Sequence, residues 1–219
     1  RWCTVTGVQT CALPILRALI ESAGLAGERI DAYHVGFVLA PRLNACGRMG
    51  HARLAVELLT EAGPEHARKI ADYLNAQNAR RQRVEQSIVE QAVEMVADAG
   101  LDGEGTPAIV LASEQWHGGV IGIVASRLVD LYARPTVLIA LNGEGGQGSA
   151  RSVPGLHMRD ALAACAEHLV SFGGHAMAGG LRIAPQRVDD FRRAFTAYAA
   201  ERLTPEQLVP ALRVDAEVG

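Results

Sequence analysis

The chain reads as an α/β protein: a short helical first part, one long helix, then an α/β domain with a central sheet. Three observations point there. From Glu65 to Ala99 nothing interrupts a helical pattern. Past the turn at Gly100–Thr106, which holds three glycines, short apolar runs of strand length alternate with amphipathic runs of helix length. With 219 residues, 49% of them apolar, the chain suffices for one large domain or two small ones with a sizeable core.

Residues 1–15, RWCTVTGVQTCALPI, hold one charge and no period of 2 or 3.6. They resemble translated sequencing-adapter read-through and are expected to add little burial and no functional group. Leu16 to Ala23 reads as the end of a helix closed by Gly24. Ile30 to Gly50 is mixed and glycine-punctuated, so it is expected to hold a loop between short elements. Ala52 to Ala62 sets Leu54, Ala55, Leu58 and Leu59 on one helical face, and Gly63-Pro64 ends that helix and starts the next.

The helix over Glu65–Ala99 would be a rod of roughly 50 Å. Its first half is polar (Asn75, Gln77, Asn78, Arg80, Arg81, Gln82, Arg83), and those arginines read as solvated. In its second half Val84, Ile88, Ala92, Val96 and Ala99 recur at three or four. Such a rod bridges two domains. The second domain then runs as strand Ala108–Ala112, helix Gly119–Leu131, strands Thr136–Leu141 and Gln147–Val153, helix His157–Leu169, strand Gly179–Ala184 and helix Val188–Arg202. There is no internal repeat or low-complexity segment.

A formal charge of -3 and a pI near 6.2 neither demand nor exclude a nucleic-acid partner. The longest apolar stretches, such as Val120–Ala125, are far short of a membrane span. Cys3, Cys11, Cys46 and Cys165 are scattered without a CxxC pair, which fits a reducing cytosol better than a disulfide framework. No Ser-His-Asp constellation or metal-ligand spacing is evident, so no metal ligand is assigned.

Four segments differ from ordinary core or loop. Ala40–Gly50, APRLNACGRMG, brings Arg42, Asn44 and Arg48 within seven residues. Arginine forks suit phosphate oxygens and glycines admit an anion close to backbone; a capped turn with solvated arginines fits equally. Gly143–Ser152, GEGGQGSARS, opens on hairpin glycines and then offers Gly148, Ser149, Arg151 and Ser152. On a strand Ser149 and Arg151 share one face, a grip suited to phosphate, although a polar edge strand reads the same way. Ser171–Gly180, SFGGHAMAGG, sets four glycines, Gly173 and Gly174 among them, around His175 where a helix joins a strand. Clustered glycines suggest close approach of a ligand or another backbone, while a lone histidine can be purely structural. Trp116–Gly122, WHGGVIG, lies where a strand ends and a helix begins; Trp116 could stack a base or be core.

In this order, APRLNACGRMG, NARRQRVEQ, SEQWHGGVIGIVASRL, GQGSARSVPGLHMRDAL and FGGHAMAGGLRI resemble the RecJ-like single-stranded-DNA exonucleases of the DHH phosphoesterase superfamily, over about Leu16 to Val218. GGHAMAGG alone marks only the wider DHH-associated domain; PRLNACGR and GSARSVPG make the likeness more specific. The resemblance implies residues 16–63 as the end of a DHH domain, 64–100 as a connecting helix, 101–203 as the DHH-associated domain, and 204–219 as a truncated lead into an OB-like domain. It implies 5′-to-3′ digestion of single-stranded DNA, Mn²⁺ or Mg²⁺ in the intact enzyme, helicase and single-strand-binding protein as partners, and a cytoplasmic location without membrane. It assigns His175 as catalytic, and Arg42, Asn44, Arg48, Gly148, Ser149, Arg151, Ser152, Gly173 and Gly174 to the DNA phosphate. No DHH motif is present, so the metal ligands are expected outside this internal fragment, which is expected to be inactive alone. Competing readings are an oligonucleotide or cyclic-dinucleotide phosphodiesterase of the same superfamily, a non-catalytic nucleic-acid-binding module, and a metabolic α/β enzyme.

Overall fold

The computed structural model describes residues 8–103 and 105–209. Contacts divide the chain into two compact units, Arg1–Arg83 and Val84–Gly219, and the division falls inside one unbroken helix, α4 (Pro64–Asp98). Proline at its start costs nothing, because a first-turn N–H has no helical partner.

The first unit is helical: α1 (Val8–Ser22), a π-helical stretch (His34–Leu39), α2 (Ala40–Met49), α3 (Ala52–Thr60) and the first half of α4. Gly24 at φ 79° closes α1, a conformation that favours glycine. Leu19, Leu39, Cys46, Leu58, Ile70 and Leu74 form its core together with Ile15. Residues 1–15 were expected to add little burial, yet Ile15 is 4% exposed: an apolar residue one turn before Leu19 lands on the same helical face. Trp2 and Cys3 lie outside the described residues. The loop expected over Ile30–Gly50 is also corrected. Pro41 sits in the first turn of α2, where it is tolerated, and Gly47 rides inside the helix.

The second unit is a five-stranded sheet of order β1-β2-β3-β5-β4, from β1 (Ile109–Ser113), β2 (Thr136–Asn142), β3 (Gly145–Arg151), β4 (Ser171–Gly174) and β5 (Ala178–Ile183). β1 and β2 are parallel, joined by α5 (Ile121–Tyr132); all other pairs are antiparallel. A two-residue turn, Gly143-Glu144, links β2 to β3, and the Asn142 side chain accepts from the N–H of Glu144 and Gly145. α6 (Met158–Ala164) and α7 (Val188–Ala200) cover one face, where Val110, Val137, Ile139, Ala150, Leu181 and Ile183 meet Phe191, Phe195, Met158 and Leu162. α5 covers part of the other. α7 also shields the outer edge: Arg192 Nε donates to the Val110 carbonyl of β1 at 3.0 Å. β4 is an element the sequence reading lacked, since Ser-Phe-Gly-Gly carries little strand propensity. Pro205–Leu208 forms one 3₁₀ turn, and the chain from residue 210 on lies outside the described residues.

Candidate nucleic-acid interface

Strand β3 has two unlike faces. Gly146, Gly148 and Ala150 point into the α6–α7 core, while Gln147, Ser149 and Arg151 point to the other side. The glycines are there for packing: a Cβ on Gly148 would lie 2.6 Å from Leu181 Cδ1. Gly148 thus has a packing role, and it also borders the open side of the sheet.

The polar row lies beneath the start of α5. A Cβ on Gly118 would stand 2.8 Å from the Gln147 side-chain oxygen, and one on Gly122 would stand 2.9 Å from Ser149 Oγ and 3.1 Å from Arg151 Nη2. One turn further along, Ser126 Oγ accepts from Arg151 Nε at 3.1 Å. Arg151 Nη1 also donates to Ser149 Oγ at 3.2 Å and to the Ala150 carbonyl at 2.8 Å. Gly122 and Ser126, one turn apart on α5, and Gly118 in the turn before it are small and make the room that the row needs.

Strand pairing carries this face outward. Arg151, Ser149 and Gln147 pair with Ala178, Gly180 and Arg182 of β5; Gly180 and Arg182 pair with Gly173 and Ser171 of β4. Gly173 and Gly180 are exposed, and a Cβ on Gly173 would meet nothing within 4 Å. Gln147, Ser171, Gly173, Gly180 and Arg182 border an open depression of about 370 Å³. Gly174 and Gly179 do a different job. Gly174 has φ 155°, and a Cβ there would lie 2.5 Å from the Ala178 carbonyl; one on Gly179 would lie 2.7 Å from Leu162 Cδ1.

His175 stands exposed in the β4–β5 turn, its N–H donating to the Ala178 carbonyl at 2.8 Å. Since Ala178 is also the ladder partner of Arg151, the backbones of Arg151 and His175 flank one residue and lie roughly 10 Å apart, two antiparallel steps. Ser152 leaves the group. It is 4% exposed, and its hydroxyl donates to the Leu156 carbonyl at 2.6 Å, which shapes the turn into α6. Trp116 is core, 5% exposed, with Nε1 donating to Gln91 of α4.

The remaining candidates belong to the first unit. Arg42 is a tie within it: Nε donates to Asn75 Oδ1 at 3.0 Å and Nη1 to the Val38 carbonyl, and burial pulls its pKa down. These bonds give Arg42 a structural role within the unit beside the phosphate contact expected of it. Asn44 and Arg48 are exposed on α2. Of the α4 arginines, Arg80 and Arg83 are exposed as expected, while Arg81 is half-buried and donates to Asn78.

The sheet that carries this face falls within a recognised family: residues 105–201 match the DHHA1 domain. Over 206 residues, 93% of this chain, the sequence is 38% identical to the single-stranded-DNA-specific exonuclease RecJ of Bacillus subtilis. Residues 105–201 thus resemble a DHHA1 domain, and most of the chain is similar to RecJ. The fold agrees. RecJ of Thermus thermophilus in complex with Mn²⁺ superposes with a TM-score of 0.76 at 32% identity, over 89% of this chain and 28% of that one. The same protein with Mg²⁺ gives 0.76 and 32%, over 89% and 30%. This RecJ-like chain spans about a quarter of the Bacillus protein's length, 26%.

Among the described residues of the RecJ-like chain, no group of three or more His, Cys, Asp or Glu side chains could hold a metal ion. Nor is any described helix long and apolar enough to cross a membrane. The sequence reading missed Gln147, Ser126, Gly122 and Arg182. Period two from Ser149 would have found Gln147, and period four from Gly118 would have found Gly122 and Ser126.

Proposed function

We propose that the open sheet face of the second unit holds the backbone of single-stranded DNA within a RecJ-type phosphodiester hydrolase. The carrying observation is the row Gln147–Ser149–Arg151, set under the small-residue start of α5 and continuous with the bare backbone of Gly180 and Gly173. An arginine fork with a short hydroxyl beside it suits a phosphodiester, and it contacts no base, so the grip is indifferent to sequence. His175 belongs to the same site in this reading; its support is the shared neighbour Ala178. The role considered for it is catalytic, at the scissile phosphate, while Gly173 and Gly174 admit the strand.

The chemistry requires Mn²⁺ or Mg²⁺, which supplies an activated water and charge stabilisation, with ligands outside the described residues. The chain by itself is a binding part and releases no nucleotides. Residues 16–63, 64–100 and 101–203 then serve as DHH remnant, connector and DNA-holding domain, in a cytosolic protein.

The test is fluorescence anisotropy of a labelled oligothymidylate with the 219-residue chain. Arg151→Ala should lower affinity by about 1–3 kcal/mol, the scale of a charge-assisted hydrogen bond, equally for oligothymidylate and oligodeoxyadenylate. Unchanged affinity would refute the reading.

A further inference from the structure

Arg182 occupies a position that neither the family likeness nor the sequence motifs single out. It lies on β5, on the same face as Ser149 and Arg151, because it pairs with Gln147. Its side chain is exposed and makes no hydrogen bond or ion pair with any described residue. Gln147 and Ser171 flank it across the ladder, and all three border the depression of about 370 Å³. Glu144 borders the next hollow along, on the far side of Arg182, without an ion pair to it.

Arg182 borders the depression, and Arg151 lies on the same sheet face beyond it, past Ser149. Gln147 is four residues from Arg151 on β3, so the backbones of Arg182 and Arg151 are separated by roughly 14 Å along the strands, room enough for each side chain to meet its own phosphate. Between them the floor is Gly180 and Gly173, where no side chain rises. The walls are polar: Ser149 and Gln147 toward α5, Ser171 toward the edge. A bare middle with a cation on either side fits a ligand with two separated negative charges and a flat, uncharged body.

We infer that Arg182 binds a second backbone phosphate, so that the strand lies along the trough over Gly180 and Gly173 and is gripped at both ends. This rests on the reading of Arg151 as the first phosphate contact. The two glycines then act as a clearance: their φ angles lie outside the region reserved for glycine, so what matters there is the absence of a side chain.

The experiment measures affinity of the chain for labelled oligothymidylate against salt, for Arg182→Ala, Arg151→Ala and the double variant. Arg182→Ala should weaken binding about tenfold and reduce the slope of log K against log salt by about 0.7, the value for one phosphate on a single strand. The double variant should lose about twice that slope. Gly173→Val, at a position where a Cβ meets nothing within 4 Å, should also weaken binding, and circular dichroism would check its fold. If Arg151→Ala weakens binding while Arg182→Ala leaves affinity and slope unchanged, the second contact is overturned and the first stands. If neither variant changes binding, both fall.

Discussion

Arg151 is oriented by neutral oxygens, those of Ser126, Ser149 and Ala150. Such acceptors fix the fork without cancelling its charge, which suits a residue that must meet an anion in one geometry. Ser152, next in sequence, has the opposite fate. Its hydroxyl closes a turn, so Ser152→Ala should cost about 1–3 kcal/mol of stability by leaving the buried Leu156 carbonyl without its donor. Urea unfolding checks this, and DNA affinity should stay at the wild-type value. Period two distinguishes Ser149 from Gly148, but nothing in GSARS tells a serine on the strand from one in the turn after it. Period two therefore places Ser149 and Arg151 on one face, while the position of Ser152 in the turn could not be read. Cys165 offers a pH test. Burial first, and then the Glu167 charge, push its thiol from the ordinary 9.0 up to about 11. The folded state thus holds the proton more tightly than the unfolded one, and its stability contribution is complete below pH 9.0 and lost as pH rises through about 11. Urea midpoints should fall over that window, and fall less in Cys165→Ala; equal alkaline losses in both would contradict the assignment.

The β4–β5 hairpin shows why a glycine cluster could be recognised as special without being understood. GGHAMAGG reads as one motif, yet pairing sorts its glycines by face. Gly173 and Gly180 open toward the trough, and Gly174 and Gly179 press against backbone and α6. Face assignment needs register, and register needs β4, which its composition concealed. Gly179→Ala should therefore destabilise the second unit by about 1–3 kcal/mol, because its Cβ would crowd Leu162 and the Gly173 carbonyl. A thermal melt equal to wild type would show that α6 gives way at little cost. α2 illustrates the reverse error. Proline and two glycines in APRLNACGRMG suggest a turn, but the proline lies in the first turn and buried Ala45 and Cys46 hold the helix to its unit. The long helix was legible end to end, because Ile88, Ala92 and Val96 keep the helical period and are all buried.

At the scale of the chain, α4 crosses the division between the units: Ala67, Ile70, Ala71 and Leu74 belong to the first unit's core, and Ile88, Ala92 and Val96 are buried in its second half. The α/β class and the long helix could be read from periodicity; the order of the strands could not, since pairing β3 with β5 rather than with β4 is not written in local pattern. The tie that Arg42 makes was hidden for a related reason: its partner Asn75 is 33 residues away. What the whole amounts to is a DHHA1-like domain in a RecJ-like chain, with a cationic, glycine-floored face and no described cluster able to bind metal. In the function proposed above, holding DNA is separated from cutting it. The most direct test is the salt dependence of single-stranded-DNA binding by the chain, with and without Arg151. The account predicts that Arg151→Ala lowers the slope of log K against log salt by about 0.7, one phosphate's worth on a single strand; slopes that coincide would show that Arg151 holds no phosphate.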